Sequence, residues 1–459
     1  MEENTDLFEK IVNLTKRRGF VYPSSEIYGG FGGVYDYGPM GVLLANNIKN
    51  YWWKTMVQKR SDIVGLDSGI FMSPKIWVAS GHVGGFSDPL MEHKKNHNRV
   101  RADHILEEIG IMADEKMTIE EINNLLTENK IALKNIGYDI DEYTPAKRFN
   151  LLVKSNLGDF TDDGSDQAYL RGETCQGIYV NYKNVFDTTN VKIPFGIAQI
   201  GKAFRNEIAA RQFIFRTREF EQMEMQYFVK PDLEMSEYEK LKQYRFDALV
   251  NMGLKPENLK WHKHDNLVFY AKEAYDIEFK YPFGWKELEG IHARGNYDLT
   301  QHSTHSGQKL EYFDEETKEH FIPHVVESSI GVGRLFLAVL CQSYTEEAVG
   351  DDSRIVLKIP KKIAPIQVAI LPLSKKEELS IPANKLFQDL SDYFMCQYDE
   401  TQSIGKRYRR QDEIGTPYCI TYDFDSINDN AVTVRDRDTM DQERIPINEL
   451  VNYLQDKFK

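Results

Sequence analysis

The chain has 459 residues, of which 57 are basic and 71 acidic, so its formal net charge is −14. Its 41% hydrophobic and 28% charged residues are typical of globular proteins and exclude a disordered or fibrous chain. No apolar run reaches the roughly 18 residues of a membrane-spanning helix, and the acidic, polar N-terminus predicts no secretory signal. We therefore expect a cytoplasmic protein without membrane contact. Four cysteines without a C-x-x-C pair favour neither a disulfide framework nor a structural zinc site.

The N-terminal part combines helical and extended patterns. Apolar residues at helical spacing predict a helix over Met40–Val57, and Ile63–Ser73 is typical of an extended segment. From about residue 93 to 145 the composition changes, with 11 acidic and 3 basic side chains between positions 103 and 142. Helical patterns there cover Ala102–Ile111 and Thr118–Asn129. These features predict a small inserted subdomain.

The central part is predicted to be mostly strands, with a helix near its middle and another at its end. The predicted strands are Asn150–Val153, Gly177–Asn181, Phe195–Phe204, Phe213–Phe220, Met223–Val229 and Tyr281–Asp298, the last interrupted at Gly290. The predicted helices are Ser236–Met252 and Ile330–Tyr344.

A domain boundary is predicted near Ile359–Pro365, where lysines flank Pro360. The tail then alternates strands and helices in a way that is typical of a compact α/β module. The sequence thus predicts two domains, residues 1–360 and 361–459. The predicted tail elements are the strands Gln367–Leu371, Tyr418–Asp423 and Ala431–Asp436 and the helices Ile381–Phe394 and Ile447–Phe458.

Two patterns imitate ligand motifs. Gly196–Lys202 matches part of a phosphate-binding loop, but Ala203 supplies no hydroxyl for Mg²⁺ and the segment is strand-like, so we expect a strand. Two histidine pairs have metal-ligand spacing without a third ligand in register, so we interpret them as surface histidines. These are His93 with His97 and His302 with His305.

The segment Gln199–Phe228 concentrates charge on two predicted strands. Because alternate residues of a strand share a face, one face collects guanidinium groups, an aromatic ring and carboxylates. Such a face suits a nucleoside triphosphate together with an ammonium group. A solvated face with cross-strand ion pairs is the alternative. The residues are Arg216, Arg218, Phe220, Gln222 and Glu224 on the second strand, and Lys202, Arg205, Glu207 and Arg211 on the first strand and its loop.

The chain resembles a known family at this point. Phe204-Arg205-Asn206-Glu207 and, after a loop, Phe215–Glu224 resemble motif 2 of class II aminoacyl-tRNA synthetases, specifically the dimeric glycyl-tRNA synthetase family. Further matches follow in order along nearly the whole chain. Tyr35–Pro39 with the Asn46–Val57 helix resembles motif 1, Arg171–Gly177 the R-P-E-T-A-Q-G segment, Glu327–Arg334 motif 3, and Ser403–Glu413 with Val434–Arg437 the anticodon-binding domain. Departures from the family pattern occur at Gly172, Cys175, Glu289 and Ser328.

The resemblance implies an α+β fold, with a class II antiparallel sheet flanked by helices and a C-terminal α/β anticodon-binding domain. It implies a homodimer that attaches glycine to tRNA(Gly) through a glycyl-adenylate, using ATP and Mg²⁺ and no zinc. The alternatives are a ligase of another amino acid and a non-catalytic, synthetase-like RNA-binding or interaction protein. Accessory proteins of the latter kind tend to lose the arginines of motifs 2 and 3, and here Arg205 and Arg334 are present.

The same resemblance implies residue roles. Arg205, Glu207 and Arg334 are the implied catalytic residues, and Glu287 is a candidate Mg²⁺ ligand. The implied ATP-binding set is Arg205, Asn206, Glu207, Phe215, Arg216, Thr217, Arg218, Glu219, Phe220, Glu287, Leu288, Gly331, Val332, Gly333 and Arg334. The implied glycine-binding set is Arg101 (with Arg99 as second choice), Glu173, Phe220, Glu221, Gln222, Met223, Glu224, Arg294, Glu327, Ser328, Ser329, Ile330 and Gly331.

Two of these assignments have a simpler alternative. Arg101 could merely pair with the nearby Asp103, as surface ion pairs are common. In the tail, Lys406–Arg410 contains four cations with Tyr408 between them, which favours RNA contact over a solvated charged face. The predicted tRNA-binding residues are Lys406, Arg407, Arg409 and Arg410.

Overall fold

The computed structural model describes residues 2–112, 117–157, 167–207, 212–264, 271–350 and 352–459. Its N-terminal part has two long helices, α1 (Glu2–Arg17) and α2 (Pro39–Trp53), together with short strands and helices. The predicted extended segment Ile63–Ser73 is divided between two sheets. The elements are α1 (Glu2–Arg17), β1 (Val21–Pro23), β2 (Tyr35–Tyr37), α2 (Pro39–Trp53), β3 (Ile63–Gly65), β4 (Phe71–Met72), α3 (Pro74–Ala79) and α4 (His82–Gly85).

Helix α2 and the π-helical turn Lys54–Gln58 after it confirm the helix predicted over Met40–Val57. Apolar side chains recur along it every fourth residue and bury one stripe against the rest of the chain. Leu44, Ile48, Trp52 and Met56 are all buried.

The inserted subdomain has its own small apolar core beneath a three-stranded sheet of β5, β6 and β7. Thr118 caps α6, because its Oγ1 accepts the N–H of Glu121 at 3.2 Å while the Glu121 carboxylate accepts the Thr118 N–H at 2.7 Å. The elements of this part and the strands after it are β5 (Ser87–Glu92), β6 (Arg99–Arg101), α5 (Ala102–Glu107), α6 (Ile119–Glu128), α7 (Lys130–Asn135), β7 (Lys147–Asn150), β8 (Val153–Asn156) and β9 (Gln167–Leu170).

The central part contains the main sheet and the helices that cover it. Its elements are α8 (Cys175–Thr188), β10 (Phe195–Phe204), β11 (Glu219–Val229), α9 (Glu234–Met252), β12 (Leu259–Lys263), β13 (Glu273–Tyr281), β14 (Gly284–Gly295), α10 (Tyr297–Ser306), β15 (Tyr312–Phe313), β16 (His320–Phe321), β17 (His324–Gly331), α11 (Val332–Ser343), β18 (Tyr344–Val349) and β19 (Asp352–Leu357).

The main sheet has seven strands in the order β12-β13-β14-β17-β11-β10-β3, antiparallel except for the pair β10 and β3. Helices α2, α9 and α11 pack on one face around the largest apolar core. Helices α8 and α10 cover one end of the opposite face, which we call the cavity face. The antiparallel α+β fold implied by the resemblance is therefore present.

Four local predictions are wrong. The predicted strand Asn150–Val153 covers the break between β7, which ends at Asn150, and β8, which begins at Val153. The predicted strand Gly177–Asn181 lies within helix α8, whose Ile178, Tyr179 and Tyr182 are buried at helical spacing against the sheet. Phe213–Phe215 is a turn of 3₁₀-helix before β11, so the predicted strand Phe213–Phe220 is mostly absent. Gly290 does not interrupt β14, which runs through it.

The tail packs around a separate apolar core, whereas Ile359, Ile363 and Ile366 before it belong to the main core. Its five strands follow the order β21-β20-β22-β23-β24, with β20 parallel to β21 and β22 and the rest antiparallel. No described helix is long and apolar enough to cross a membrane. The tail elements are β20 (Val368–Pro372), α12 (Glu377–Ser391), β21 (Cys396–Tyr398), α13 (Ile404–Ile414), β22 (Tyr418–Tyr422), α14 (Ser426–Asp429), β23 (Ala431–Asp436), β24 (Gln442–Pro446) and α15 (Leu450–Lys457).

Candidate active site

The cavity face of the main sheet carries an open cavity of about 410 Å³. The floor of this cavity is formed by rows of residues that pair across neighbouring strands, since residues directly opposite each other point to the same side of the sheet. One row joins Glu224 of β11, Ser329 of β17 and Gly290 of β14. The next row is Gln226, Glu327 and His292.

Glu287 reaches the cavity through an irregularity in β14, where the register with β13 shifts beside Glu278. Leu288 and Glu289 both lie on the helix-packed face, Leu288 in the main core and Glu289 in a buried ion pair with Arg245 at 2.6 Å. Strict alternation would place Glu287 on that face as well. The irregularity turns it to the cavity instead.

One wall comes from the ends of β10 and β11. The Arg205 guanidinium lies 5.4 Å from the centre of the Phe220 ring, and its Nε donates to the Gly172 carbonyl at 3.1 Å. Beside it, Arg216 Nη1 is 3.9 Å from Glu207 Oε2. A guanidinium, an aromatic plate and a carboxylate thus meet, as motif 2 implies. Arg211 of the intervening loop lies outside the described residues.

A second wall comes from motif 3. The Arg334 guanidinium lies 4.6 Å from the centre of the Phe215 ring, and its Nη1 is 2.9 Å from Glu287 Oε1. Although burial favours the neutral acid, the charge of Arg334 holds the pKa of Glu287 below its ordinary value. Glu287 therefore presents a carboxylate to the cavity.

The deep end of the cavity holds three glutamates from different elements: Glu173 before α8, Glu224 on β11 and Glu327 on β17. The Glu224 carboxylate accepts hydrogen bonds from the hydroxyl of Ser329, at 2.7 Å, and from the hydroxyl of Thr174. Such an arrangement of buried carboxylates is suited to a small cation such as an ammonium group.

Arg294 holds one of these glutamates in place. Its Nε and Nη2 make a two-pronged contact with Asp298 at 2.9 and 3.1 Å, and its Nη1 is 2.9 Å from Glu327 Oε2. Gln226 Nε2 and His292 Nδ1 also lie 2.9 Å from the Glu327 carboxylate. Arg294 thus supports Glu327 from behind.

The three acids differ in their ionisation. Burial, with the charges of Glu327 and Glu173, raises the pKa of Glu224 to about 7. Burial acts in the same sense on Glu327 and Glu173, but Arg294 and His292 hold the pKa of Glu327 low, and His82 and Arg294 hold that of Glu173 low. Glu224 is therefore the acid whose charge responds to an incoming cation near neutral pH.

Cys175, Glu224 and Glu327 place possible metal-ligand atoms within 4.8 Å of one another, as no other group among the described residues does. Burial raises the pKa of the Cys175 thiol well above its usual range, and the thiol donates to Glu173 Oε1 at 3.0 Å. A protonated thiol is a poor metal ligand. The group therefore fits an ammonium site better than a metal site.

The cavity brings together most of the predicted residues. Those that line it are Glu173, Arg205, Glu207, Phe215, Arg216, Thr217, Phe220, Gln222, Glu224, Glu287, Arg294, Glu327, Ser329, Gly331, Gly333 and Arg334.

Some side chains predicted for the site face the other way, because the motifs are continuous runs whereas a strand alternates between faces. Glu221 pairs with Lys49 at 2.9 Å, and Ser328 donates to Glu289 at 2.7 Å, both away from the cavity. The other side chains that these runs bury in the main core are Met223, Leu288, Ile330 and Val332.

Four further predicted residues are engaged elsewhere. Arg101 pairs with Asp88 at 3.0 Å and with Asp103, so the simpler alternative describes it and it does not line the cavity. Arg218 donates to the Glu207 carbonyl at 2.8 Å. The remaining two are Glu219, which pairs with Lys202, and Asn206, whose N–H donates to the Leu151 carbonyl at 2.8 Å.

Several side chains that line or support the cavity were not predicted from the sequence. Ile214, His264 and His292 line the cavity, and His82 supports Glu173 at 3.2 Å. The signal for His292 was available, because it is two residues from Arg294 on a predicted strand and so shares its face. His302, interpreted as a surface histidine, is 5% exposed and bonded to Gln176 at 2.8 Å.

The basic cluster of the tail is used mostly for internal structure. Arg407 is buried and donates to the carbonyls of Pro372 at 2.5 Å and Asp399 at 3.2 Å. Arg410 pairs with the Asp399 carboxylate. In the part of the chain that the structure describes, Lys406 and Arg409 make no ion pair. For these two residues the contact with RNA stays a prediction.

Comparisons with known proteins agree with this architecture. The family model "tRNA synthetase class II core domain (G, H, P, S and T)" matches residues 158–343, and "Anticodon binding domain" matches residues 367–457. A crystal structure of prolyl-tRNA synthetase from Cryptosporidium parvum matches with a TM-score of 0.63 at 14% identity, covering 98% of this chain and 74% of that one. The fold is that of a class II aminoacyl-tRNA synthetase.

Full-length relatives narrow this class. The glycine–tRNA ligase of Lachnospira eligens is 51% identical over 98% of this chain and 99% of its own length. The same enzyme of Treponema denticola is 49% identical over 100% of this chain and 99% of its own length. The chain belongs to the glycine–tRNA ligase family.

Proposed function

We propose that this chain is an AMP-forming glycine–tRNA ligase that attaches glycine to tRNA(Gly) through a glycyl-adenylate. The observation that supports this most is that Arg205, Arg334 and three glutamates, two of them buried, line one cavity. A non-catalytic interaction protein would gain nothing from bringing three carboxylates together, because their repulsion and the burial of Glu224 cost folding free energy until a further cation binds among them. The alternative of a binding protein without activity is therefore not favoured.

In the first step the glycine ammonium lies among Glu173, Glu224 and Glu327, which leaves the glycine carboxylate directed along the floor toward Arg205. One carboxylate oxygen attacks the α-phosphorus of ATP, and pyrophosphate leaves. Arg205 stabilises the charge that grows on the phosphoryl oxygens, because its planar guanidinium can make two parallel hydrogen bonds. Phe220 stacks on adenine, and Arg334 covers the other face.

Mg²⁺ enters this scheme with ATP. Glu287 fits a hard cation, since its carboxylate faces the cavity and stays ionised beside Arg334. The ion, when bound, neutralises charge on the phosphates. Glu287 thus has two roles, orienting Arg334 and offering an oxygen ligand. The reaction proposed here uses Mg²⁺ and does not use zinc.

Selection of glycine over alanine follows from the crowded carboxylates. A methyl group contributes only about 1–3 kcal/mol of favourable binding, so accuracy must come from exclusion. Glu224 lies between Thr174 and Ser329, which fix its carboxylate close to the α-carbon position. An added methyl group would clash there and would displace solvation from the charges.

The proposed homodimer needs a different surface from the one predicted. Motif 1 is the dimerisation element of the family, so its Trp52, Trp53 and Met56 are the residues expected at the interface. However, Trp52 and Met56 are 2% and 0% exposed within their own chain. Apolar side chains that do remain exposed lie in the connection between β1 and β2: Ile27 at 88%, Tyr28 at 87% and Phe31 at 58%. We place the interface there, since such a patch is seldom left in water. A fully active monomer in sedimentation would contradict this.

The proposed division of labour assigns adenylate formation to residues 1–360 and anticodon binding to residues 361–459. Its support is the separate tail core and the two unpaired cations, Lys406 and Arg409, among the described residues. A cytoplasmic location is proposed because tRNA is the substrate.

The direct test is ATP–pyrophosphate exchange with each of the twenty amino acids, followed by charging of tRNA. Glycine alone should support exchange, and tRNA(Gly) should then be charged. Glu224→Ala should lose glycine exchange while the ratio of alanine to glycine exchange rises, because the ammonium contact and the barrier to a methyl group disappear together. Exchange with another amino acid in preference to glycine would contradict the proposal.

A further inference from the structure

His292 lies at the floor of the cavity but has no role in adenylate formation as proposed above. Its Nδ1 is 2.9 Å from Glu327 Oε2, and its side chain is 30% exposed. A carboxylate only accepts hydrogen bonds when ionised, so the proton of the neutral ring is on Nδ1. Nε2 therefore carries a lone pair.

Glycine at position 290 leaves room for this lone pair. A Cβ built on Gly290 would lie 3.0 Å from Cε1 and 3.1 Å from Nε2 of the His292 ring. The Nε2 edge of the ring thus lies over Gly290, in the row that continues through Ser329 to Glu224. Neighbouring strands are about 4.8 Å apart, so the distance from Nε2 to the proposed ammonium site is about one or two strand spacings.

A second carboxylate lies on the Nε2 side of the ring. Asp276 Oδ1 is 4.0 Å from Nε2, beyond hydrogen-bonding distance but close enough to attract an imidazolium. His264 Nε2, at 2.8 Å from Asp276 Oδ2, holds that carboxylate in place. The charged and titratable groups that face His292 are Glu327 on β17, Asp276 on β13, His264 at the end of β12, and Arg294 and Glu287 on β14.

We propose that His292 is the proton acceptor for the tRNA terminal ribose hydroxyl in the second step, glycyl transfer, an inference that rests on the proposed function. The hydroxyl oxygen forms a bond to the glycyl carbonyl carbon as its proton passes to Nε2. The bond between that carbon and the phosphate oxygen then breaks, and its electron pair leaves with AMP. The imidazolium returns its proton to the departing phosphate or to water.

A positioning role is the rival explanation, in which His292 only orients Glu327. The variant His292→Asn separates the two, because the asparagine amide can still donate to Glu327 from the place of Nδ1 but offers no base at Nε2. His292→Gln is the second variant, with its amide near the place of Nε2. His262→Asn is the matched control, since His262 is an exposed imidazole on β12 outside the cavity lining.

The experiment measures pyrophosphate exchange with glycine and, separately, single-turnover transfer from preformed enzyme-bound glycyl-adenylate to tRNA(Gly), between pH 5.5 and 8.5. We expect the ratio of transfer to exchange to fall about 100-fold in both variants, in the range of a lost general base, and not in the control. The rise of the wild-type transfer rate with pH should disappear in His292→Asn.

Two results would overturn the inference: a ratio within threefold of the wild type in both variants, or a fallen ratio with the pH dependence of transfer unchanged, which is the mark of a positioning residue. Failure of the proposed function has a different signature. The wild-type protein would then show no glycine-dependent exchange at all.

Discussion

The arginines of the cavity and those of the tail module are used in opposite ways. Arg205 and Arg334 lie beside aromatic rings and face an open cavity. In the tail, Arg407 is buried against backbone carbonyls, and Arg435 is bonded to the buried Asp412 at 2.9 and 3.1 Å. Both regions are rich in cations in the sequence. The comparison shows that a guanidinium group can bind a ligand where its own chain satisfies only part of it, as with Arg334 beside Glu287 and Arg205 beside the Gly172 carbonyl.

Buried arginines on both sides of the boundary also connect the tail module to the core. Arg354, on β19 of the core, is 1% exposed at its side chain and pairs with Asp412 of α13 at 3.0 Å. Arg437 donates to the Ile359 carbonyl at 2.9 Å. Cutting the chain near Lys358 would therefore leave Arg354 with Glu347 as its remaining partner. Point variants of the full chain test the comparison more cleanly than truncation.

The largest expected effect is a loss of stability when the buried ion pairs of Asp412 are removed. Asp412→Ala should lower the free energy of unfolding by about 3–5 kcal/mol, because it strips a buried carboxylate from Arg354 and Arg435. Asp389→Ala is the control, since Asp389 forms an exposed pair with Lys385 worth less than about 1 kcal/mol. Urea unfolding measures both. Equal, small losses would show that the tail network is dispensable.

Substitution of a cavity arginine should lower activity and leave stability nearly unchanged. Arg205→Lys should slow glycine-dependent pyrophosphate exchange by about 10²–10³-fold, since a single ammonium cannot reproduce the two-pronged phosphate contact in the transition state. The melting temperature should hardly move. Lys202→Ala serves as control, because Lys202 pairs with Glu219 away from the cavity. Normal exchange by Arg205→Lys would remove this residue from the chemical step.

The glutamates of the cavity predict a pH effect. The pKa of Glu224 is raised to about 7, so below that pH the acid is protonated and must release its proton to receive the glycine ammonium. The KM for glycine in exchange should therefore rise about tenfold per unit as pH falls below 7 and level off above it.

Ser329→Ala sharpens this test. The Ser329 hydroxyl stabilises the ionised form of Glu224, so its loss should move the onset of the KM rise to higher pH. Ser328→Ala is the matched control, because this neighbouring serine bonds to Glu289 on the opposite face. An unchanged onset in Ser329→Ala would mean that Glu224 is not the titrating group.

The smallest effect concerns the remaining basic residues of the tail. Lys406→Ala with Arg409→Ala should raise the KM for tRNA roughly fivefold, as expected for the loss of about 1 kcal/mol of phosphate contact, and leave pyrophosphate exchange unaffected. Lys385→Ala, on the exposed side of α12, is the control. A tRNA KM within error of the wild type would move the RNA surface elsewhere on the module.

More of the candidate site than of the local structure could be predicted from the sequence. Alternation along Phe220, Gln222 and Glu224 correctly predicted that these side chains share one face, which lines the cavity, because residues two apart on a strand share a face whatever surrounds them. The site prediction was wrong where every residue of a continuous family motif was assigned to the ligand site, as with Met223 and Ile330. Every second residue of these strands must face the core instead. The predicted strand at Gly177–Asn181 failed because a short apolar run fits a buried helix equally well.

Which charged groups are already satisfied depends on tertiary contacts. Arg101 and Arg407 look like ligand-binding residues in the sequence. Arg101 meets Asp88 in addition to the nearby Asp103, and Arg407 meets the Pro372 carbonyl, and no local pattern reveals Asp88 or Pro372 as a partner. The turn of Glu287 toward the cavity depends on a register shift between two strands. His292 gained its place through Gly290 beside it and Glu327 on the next strand. Local pattern specifies the direction of a side chain, whereas long-range packing specifies what it meets.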